Sequence, residues 1–396
     1  MNRRQAFRAF TGFLAASPLA RAQFDLADSR DRIPPLEDLV NVFEFEPVMK
    51  ARTGKVIYDF VAGGVDNEWS LRHNREEFDR IIFRPRMLVN ASNLDLSVTL
   101  YGDKFDFPIL VSPMGGQGSI HPEGELAMAR GTGSMQTLMI LSTNSTHPYE
   151  KVAAASKLPK WFQLYTGPDV ETTWDRVERA KAAGFKTIAL TADATFGSHR
   201  ERLLRNRISG TAPAGVVPPT ARRRSEDREP AALPTRPAYY GLQMTRHAID
   251  WKFFDELKKR AGIPVLIKGI LTGEDAAIAV KHGADGIIVS NHGGRYLEYA
   301  PATIEVLPEI VQAVNKKFPV LIDSGFRRGT DVLKALCLGA SAVCVGRPAL
   351  WGLGAYGEPG VKRVLELLRT ELALAMGLSG KANLSQLDRE LVQIKP

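Results

Sequence analysis

Within six residues, Ser290-Asn291-His292-Gly293-Gly294-Arg295 places a proton acceptor, an anion binder and two glycines. A histidine changes charge near neutral pH and can take a proton in a reaction. An arginine three residues on can hold a carboxylate in its fork. Glycines let backbone approach a flat ligand. The segment follows Gly286-Ile287-Ile288-Val289, a short apolar run that reads as a buried strand. Buried parallel strands carry their chemistry at the C-terminal end, where the chain turns toward the next helix. Taken alone, the same residues also read as a strand-to-loop turn with incidental polar side chains.

The elements that must position this segment recur along the chain. Short apolar runs lie at 108–113, 138–142, 161–165, 187–193, 264–269, 286–290, 319–325 and 342–347. Each is too short for a helix and too continuously apolar for a half-exposed strand, so each reads as buried parallel β. Amphipathic helical patterns separate most of them, as at 171–183, 273–282, 304–318 and 330–338. Eight βα units in succession predict a TIM (β/α)8 barrel over 108–396; a doubly wound sheet is the alternative, and the even spacing favours closure. Ahead of it, 23–107 reads as a cap segment. Its apolar positions at 36–52 have helical spacing, a short helix covers 56–61 and ends at Gly63-Gly64, and Ile81-Ile82-Phe83 and Met87-Leu88-Val89 look like short strands. A proline-, arginine- and alanine-rich stretch, 206–247, reads as a long mobile insertion after strand four, either a lid or a surface loop.

The polar residues fall at the strand ends. Ser142, Gln163, Tyr165, Thr191, Asp193, Lys268, Ser290, His292, Asp323, Gly346 and Arg347 all lie at or just past strand C-termini. That concentration implies one shared ligand at one face of a barrel. The last two strands run into Asp323-Ser324-Gly325-Phe326-Arg327 and Gly346-Arg347. Glycine backbone with arginine after strands seven and eight is the phosphate pocket common in this fold, so the ligand is expected to be phosphorylated. Lys268, arriving from strand five, could neutralise charge on its reactive part. No Rossmann glycine fingerprint, P-loop or metal-ligand spacing is present, and no metal is expected.

Composition sets outer limits. The 396 residues are 44% hydrophobic and 24% charged, ordinary for a globular protein. No run reaches the roughly 20 apolar residues of a membrane helix. The net charge of +8 comes largely from an arginine-rich N-terminus and Arg222-Arg223-Arg224, which argues against a nucleic-acid face. Two cysteines, Cys337 and Cys344, exclude a disulfide framework and read as buried thiols. Arg3-Arg4, a modest apolar run to Ala20 and Ala20-Arg21-Ala22 resemble a twin-arginine export signal over 1–22. The expectation is a periplasmic or exported protein, and a cytoplasmic one if the signal does not function.

The segments Ser290 to Arg295, Asp323 to Asp331, Gly346-Arg347-Pro348, Trp161 to Tyr165, His121 to Glu125 and Leu190 to Asp193 together resemble the FMN-dependent α-hydroxy-acid oxidase/dehydrogenase family, over about residues 36 to 390. The resemblance implies oxidation of an (S)-2-hydroxy acid to a 2-keto acid, with FMN as cofactor and oxygen or a quinone or other electron carrier as acceptor. It implies His292 as the base that removes a substrate proton while the flavin takes two electrons, Asp193 as its partner, and Arg200 and Arg295 as carboxylate binders. Tyr165 is implied to bond the substrate oxygen, and Lys268 to stabilise the reduced flavin. Pro113, Met114, Gly115, Ser142, Gln163, Thr191 and Ser290 are implied along the isoalloxazine and ribityl chain. Asp323, Ser324, Gly325, Arg327, Gly346 and Arg347 are implied at the ribityl and phosphate end. By analogy a homo-oligomer, a tetramer, is expected. His199 and His247 read as loop residues, and His121 as structural.

Three departures bear on the substrate. Phe60 stands where the family usually has a tyrosine that helps hold the carboxylate. A lost hydrogen bond to a charged group costs about 1.5–3 kcal/mol if nothing replaces it. Asn144 stands where relatives carry an aromatic pocket wall, and Met114-Gly115-Gly116 replaces a Thr-Ala-Met-like turn beside the flavin. Phe60 and Asn144 keep open an alternative, FMN-dependent oxidation of a larger substrate such as a modified peptide or amine. A flavin-binding protein without catalysis is a third reading, disfavoured by the retained His292 and Asp193.

Overall fold

Eight parallel strands form one sheet in the computed structural model, which describes residues 33–208 and 248–395. In chain order they are β1 Ile109–Val111, β2 Ile140–Ser142, β3 Trp161–Leu164, β4 Thr187–Thr191, β5 Val265–Ile270, β6 Gly286–Val289, β7 Val320–Ile322 and β8 Ala342–Val345. Each pairs with its sequence neighbour from β2 to β8, and β8 pairs with β1. The circle closes through a parallel bridge between Val111 and Met139, with Val111 N–H donating to the Leu138 carbonyl at 2.9 Å. The fold is the expected (β/α)8 barrel. Nearly every strand residue is buried, as strands covered on both faces require.

Strand periodicity decides what fills the barrel. Leu110, Ile140, Trp161, Ala189, Leu266, Ile288, Leu321 and Cys344, one from each strand, belong to a single buried cluster. A hairpin, Val98–Leu100 with Asp103–Phe105, joins that cluster through Leu100 and Phe105. Tyr101 stacks edge-on to Trp161 and donates to the Asp285 carbonyl just ahead of β6, so the hairpin closes the N-terminal end of the barrel. The opposite end is left for chemistry.

The cap is helical. Helix α1 spans Phe45–Ala62 and α2 spans Trp69–Asp79. Gly54 breaks the helical dihedrals of α1 with a φ of 77°, so the two helical patterns read from the sequence are two arms of one element. After the strands come α3 Gly124–Ser134, α4 Tyr149–Ala154, α5 Val170–Ala182, α6 Glu201–Ile208, α7 Trp251–Ala261, α8 Gly273–Lys281, α9 Thr303–Val314, α10 Gly329–Cys337 and α11 Arg347–Leu378. Asp169, Asp250 and Thr272 cap α5, α7 and α8, each accepting an N–H of the first turn. Residues Ile81–Phe83 pair with Val392–Ile394. The segment 33–40 is a separate unit with one 3-10 turn, Leu36–Asp38.

Two expectations need correction. Met87-Leu88-Val89 is not a strand: it has no pairing partner, its side chains are exposed, and Leu88 has a φ of 58°. Apolar composition suggested β there, but a left-handed residue cannot lie in a strand. Asn206 to Ile208, assigned to the insertion, are the last residues of α6. The rest of that insertion and the export-type signal lie outside the described residues. Both cysteines are buried free thiols; burial pushes Cys337 up to about 12 and raises Cys344 as well. No helix among the described residues is long and apolar enough to cross a membrane.

Phe105 is fully buried at the base of the barrel. Phe105→Ala should destabilise the protein by about 3–5 kcal/mol, read from the denaturation midpoint. A loss below about 1 kcal/mol would show that the hairpin does not seal the core.

Candidate active site

Two residues above the apolar layer, each strand changes character. Leu110 is followed at that spacing by Ser112, Ile140 by Ser142, Trp161 by Gln163, Ala189 by Thr191, Leu266 by Lys268, Ile288 by Ser290, Leu321 by Asp323 and Cys344 by Gly346. A period of two keeps all of these on the inner face. Seven polar side chains therefore meet as a second layer, all buried. They satisfy one another. Ser142 Oγ donates to Gln163 Oε1 at 3.0 Å, and Gln163 Nε2 donates to Thr191 Oγ1 at 2.9 Å. Lys268 Nζ donates to Ser290 Oγ at 2.6 Å and lies 3.3 Å from Asp323 Oδ2, which also accepts from Ser112 Oγ at 3.4 Å. Burial alone would lower the Lys268 pKa; Asp323 and Asp193 outweigh it and raise it, so the ammonium stays charged.

One further step up the strands stand Tyr165, Asp193 and His292, which the structure brings together. His292 Nδ1 lies 2.9 Å from Asp193 Oδ1, and His292 Nε2 lies 3.2 Å from the Tyr165 hydroxyl. With Nδ1–H donated to the carboxylate, Nε2 keeps its lone pair toward the mouth. Burial lowers the His292 pKa more than Asp193 raises it, so the ring is neutral near pH 7 and able to accept a proton. Burial opposes ionisation of Asp193, yet His292 and Lys268 hold its pKa below the ordinary value. Its other oxygen, Oδ2, is buried with no hydrogen-bond partner among the described residues. A poorly solvated carboxylate pulls harder on a proton reaching the imidazole.

The backbone around this dyad is fitted to it. His292 has a φ of 57°, and Gly293 and Gly294 follow at 68° each, so the loop leaves β6 by a left-handed turn. Ser324 Oγ accepts from Gly293 N–H at 3.0 Å and donates to Asp323 Oδ1 at 2.9 Å, tying the loop to the polar layer. At Gly269, with a φ of 114°, a Cβ would stand 2.6 Å from Asp193 Cβ. No side chain fits there without displacing the carboxylate.

Four guanidinium groups gather around the same mouth: Arg200, Arg295, Arg327 and Arg347. None forms an ion pair among the described residues. Arg295 donates to the carbonyls of Phe60, Val61 and Gly63, and Arg347 donates to Val61, Gly63 and Gly293. The C-terminus of α1 offers partial negative charge, not a full anion. Burial pushes Arg347 down to about 10 against the attraction of Glu46 and Glu68, with Arg200 and Arg202 adding repulsion; burial and repulsion from Arg347 and Arg75 push Arg327 to about 9. Arg295 falls well below its ordinary value for the same reasons, and burial lowers Arg200. A guanidinium does not deprotonate in practice, so these depressions report cations that an anion would stabilise. Gly346 caps the N-terminus of α11 beside Arg347, and Gly325, with a φ of 90°, stands two residues before Arg327, a setting suited to an anion. These residues fit a phosphate. The polar layer with Lys268 fits the polar edge of a flavin, and Pro113, Met114 and Gly115 continue β1 along its side. Met114 Sδ lies 3.6 Å from where a Gly346 Cβ would stand.

Phe60 takes a place the sequence did not disclose. Its ring centroid lies 5.6 Å from the Arg295 guanidinium, so the aromatic face meets that cation where a hydroxyl is missing. Tyr296 escaped sequence reading, although it adjoins Arg295. Its ring stands edge-on to His292 at 4.6 Å. Ser112 and Gly269 also escaped notice; the two-residue spacing above Leu110 would have found the first. His199 sits in the loop before α6, paired to Asp66, and His121 packs against Gly357 in the bend of α11. His247 lies outside the described residues. Among the described residues no group of three His, Cys, Asp or Glu side chains could hold a metal.

The model of a family described as FMN-dependent dehydrogenase matches residues 49–394. Glycolate oxidase 3 of Arabidopsis thaliana is 42% identical over 352 residues, covering 89% of this chain and 95% of that protein. Glycolate oxidase of Spinacia oleracea is 41% identical over 358 residues, at the same coverage. Among solved structures, the recombinant flavin-binding domain of baker's yeast flavocytochrome b2 superposes with a TM-score of 0.81 at 31% identity, covering 95% of this chain and 91% of that one. A soluble mutant of the membrane-associated (S)-mandelate dehydrogenase from Pseudomonas putida superposes with a TM-score of 0.80 at 35% identity, covering 90% and 100%. With a barrel mouth that fits FMN and a relationship spanning nearly its whole length, the chain belongs to the FMN-dependent dehydrogenase family, the FMN-dependent 2-hydroxy-acid oxidoreductases.

Proposed function

We propose that this protein oxidises an (S)-2-hydroxy acid to the 2-keto acid, with His292 as the base. The observation that carries the reading is the line Tyr165–His292–Asp193, with contacts of 3.2 and 2.9 Å, beside arginines that have no acid of their own. When bound, FMN supplies the two-electron acceptor. The chain supplies the rest. Arg200 and Arg295 hold the carboxylate, which fixes the hydroxyl-bearing carbon near His292 Nε2. Tyr165 bonds the substrate oxygen. His292 takes the proton, and Asp193 stabilises the imidazolium that results. Lys268, kept charged by Asp323, faces the developing negative charge. Arg327 and Arg347 hold the phosphate.

The pocket points to an acid with a sizeable side chain. Asn144 is exposed at the mouth, and a Cβ on Gly115 would stand 2.7 Å from Asn144 Cβ. A small residue therefore lets the Asn144 loop settle against the flavin side, without an aromatic wall. Phe60 supports Arg295 by its ring face, so the carboxylate site keeps its cations without the family's usual hydroxyl. The same open wall is what a larger substrate, a modified peptide or amine, would need. Oxygen and a quinone or other carrier are both open as final acceptor.

Anaerobic mixing of the purified holoenzyme with glycolate, L-lactate and (S)-mandelate should bleach the flavin with at least one, and His292→Ala should slow that bleaching by roughly 10²–10⁴-fold. If no 2-hydroxy acid bleaches the protein, the reading is wrong and the larger-substrate reading takes its place. The base works only when neutral, so the reduction rate should fall as pH drops through its pKa. Because burial lowers that pKa, the acid limb should lie below the ordinary imidazole value of about 6.5. Asp193→Asn removes the charge that raises it; the limb should move to still lower pH while the plateau rate drops by roughly 10²-fold or more. A limb above pH 7 in the parent enzyme would contradict a desolvated His292.

A further inference from the structure

Arg200 lies immediately ahead of α6, and this stretch is fastened to the cap through His199, Arg202 and Asn206. His199 Nδ1 lies 2.9 Å from Asp66 Oδ1, and Asp66 N–H donates to the His199 carbonyl, also at 2.9 Å. Arg202 pairs with Glu68, whose other oxygen accepts from Gly64 N–H at 3.0 Å. Asn206 Nδ2 donates to Asp59 Oδ2 at 2.9 Å, and Lys55 pairs with the same carboxylate. Within α6, Arg202 and Asn206 stand four residues apart and share one face, and His199 in the preceding loop extends the contact. Their acceptors, Asp59, Asp66 and Glu68, belong to the last turn of α1 and the turn that follows it.

The same short stretch of cap is held from the other side by the substrate-side arginine. Arg295 donates to the carbonyls of Phe60, Val61 and Gly63, between Asp59 and Glu68 in sequence. Asp59 and Asn206 are buried, so their contact is shielded from water. Two cations flank Arg200 closely, His199 when protonated and Arg202, and each has an acid. Arg200 has none among the described residues. The cap acids thus neutralise the neighbours of Arg200 and leave its own charge for the mouth.

We propose that Asp59 and Glu68 are positioning residues for carboxylate recognition: they dock α6 on the cap so that Arg200 and Arg295 meet the substrate carboxylate together. The inference rests on the proposed role of Arg200 and is separable from it. Neither acid touches the reacting atoms. Neither hydrogen-bonds a residue assigned to the flavin, although Glu68 also attracts Arg347; their loss should weaken carboxylate binding while FMN stays bound.

The test uses the holoenzyme and oxalate, a carboxylate with no hydrogen to give up at carbon, titrated against the visible absorption of the bound flavin. Glu68→Gln and Asp59→Asn should each weaken oxalate about 5–10-fold at unchanged FMN content. The exchanged pair Glu68→Lys with Arg202→Glu should recover binding to within about threefold of the parent. Arg200→Lys should weaken oxalate at least tenfold. If Arg200→Lys weakens oxalate and the two acid variants do not, the positioning role is refuted while the proposed function stands. If Arg200→Lys has no effect, Arg200 does not bind the carboxylate and both fail. Loss of FMN from the acid variants, or no recovery in the exchanged pair, would mean that the acids serve only the fold.

Discussion

Positive charge crowded at one end of the barrel, with no ion pair to any of its four arginines among the described residues, is the constraint around which this mouth is built. Arg200, Arg295, Arg327 and Arg347 converge there, and their pKa values fall through burial and, for all but Arg200, through repulsion from one another. The protein answers with the carbonyl dipoles at the end of α1, and with Glu46, Glu68 and Asp331 attracting Arg347 and Arg327 without forming an ion pair to either among the described residues. A fold would not retain such a cost without a counter-charge from elsewhere. In the proposed function two anions answer it: the phosphate of FMN at Arg327 and Arg347, and a substrate carboxylate at Arg200 and Arg295. Ligand binding and local stability are then one quantity seen from two sides.

Beneath that mouth, the polar layer solves a different problem. A closed barrel must end its apolar core, and here it ends within one side-chain repeat. Lys268 is buried, yet its charge survives because Asp323 lies 3.3 Å away and Ser290 accepts a hydrogen bond. Asp323 passes the constraint on. Through Ser324 it holds Gly293, and so the loop that carries His292. The group proposed to steady charge on the flavin and the group proposed to take the proton are therefore mechanically linked through three residues.

Most of this was legible in the chain. The eight apolar runs foretold the barrel because buried parallel strands need no alternation with solvent. The polar residues at the strand ends foretold a shared polar layer, because residues two apart on neighbouring strands meet on the inner face. Other parts were not legible. The pairing of His292 with Asp193 spans two strands, and spacing in sequence gives no distance in space; only the family resemblance named it. Gly269 matters for the side chain opposite it, and Asp59 and Glu68 matter for a helix that lies far along the chain. Met87-Leu88-Val89 misled because apolar composition resembles a strand, whereas pairing requires a neighbour that it lacks. Phe60 lacks the family's usual hydroxyl, and its ring instead lies against Arg295, a contact that spacing in sequence does not show.

The most direct test of a mouth completed by anions is to compare FMN with riboflavin, which has the same ring and chain without the phosphate. Apoprotein should bind FMN at least about 10²-fold more tightly, since charge-assisted contacts to Arg327 and Arg347 are worth roughly 1.5–3 kcal/mol each. The thermal midpoint should rise with FMN far more than with riboflavin at equal concentration. Equal affinity and equal stabilisation by the two would show that the cations at the end of β7 and β8 have no need of a phosphate, and would contradict the account at its base.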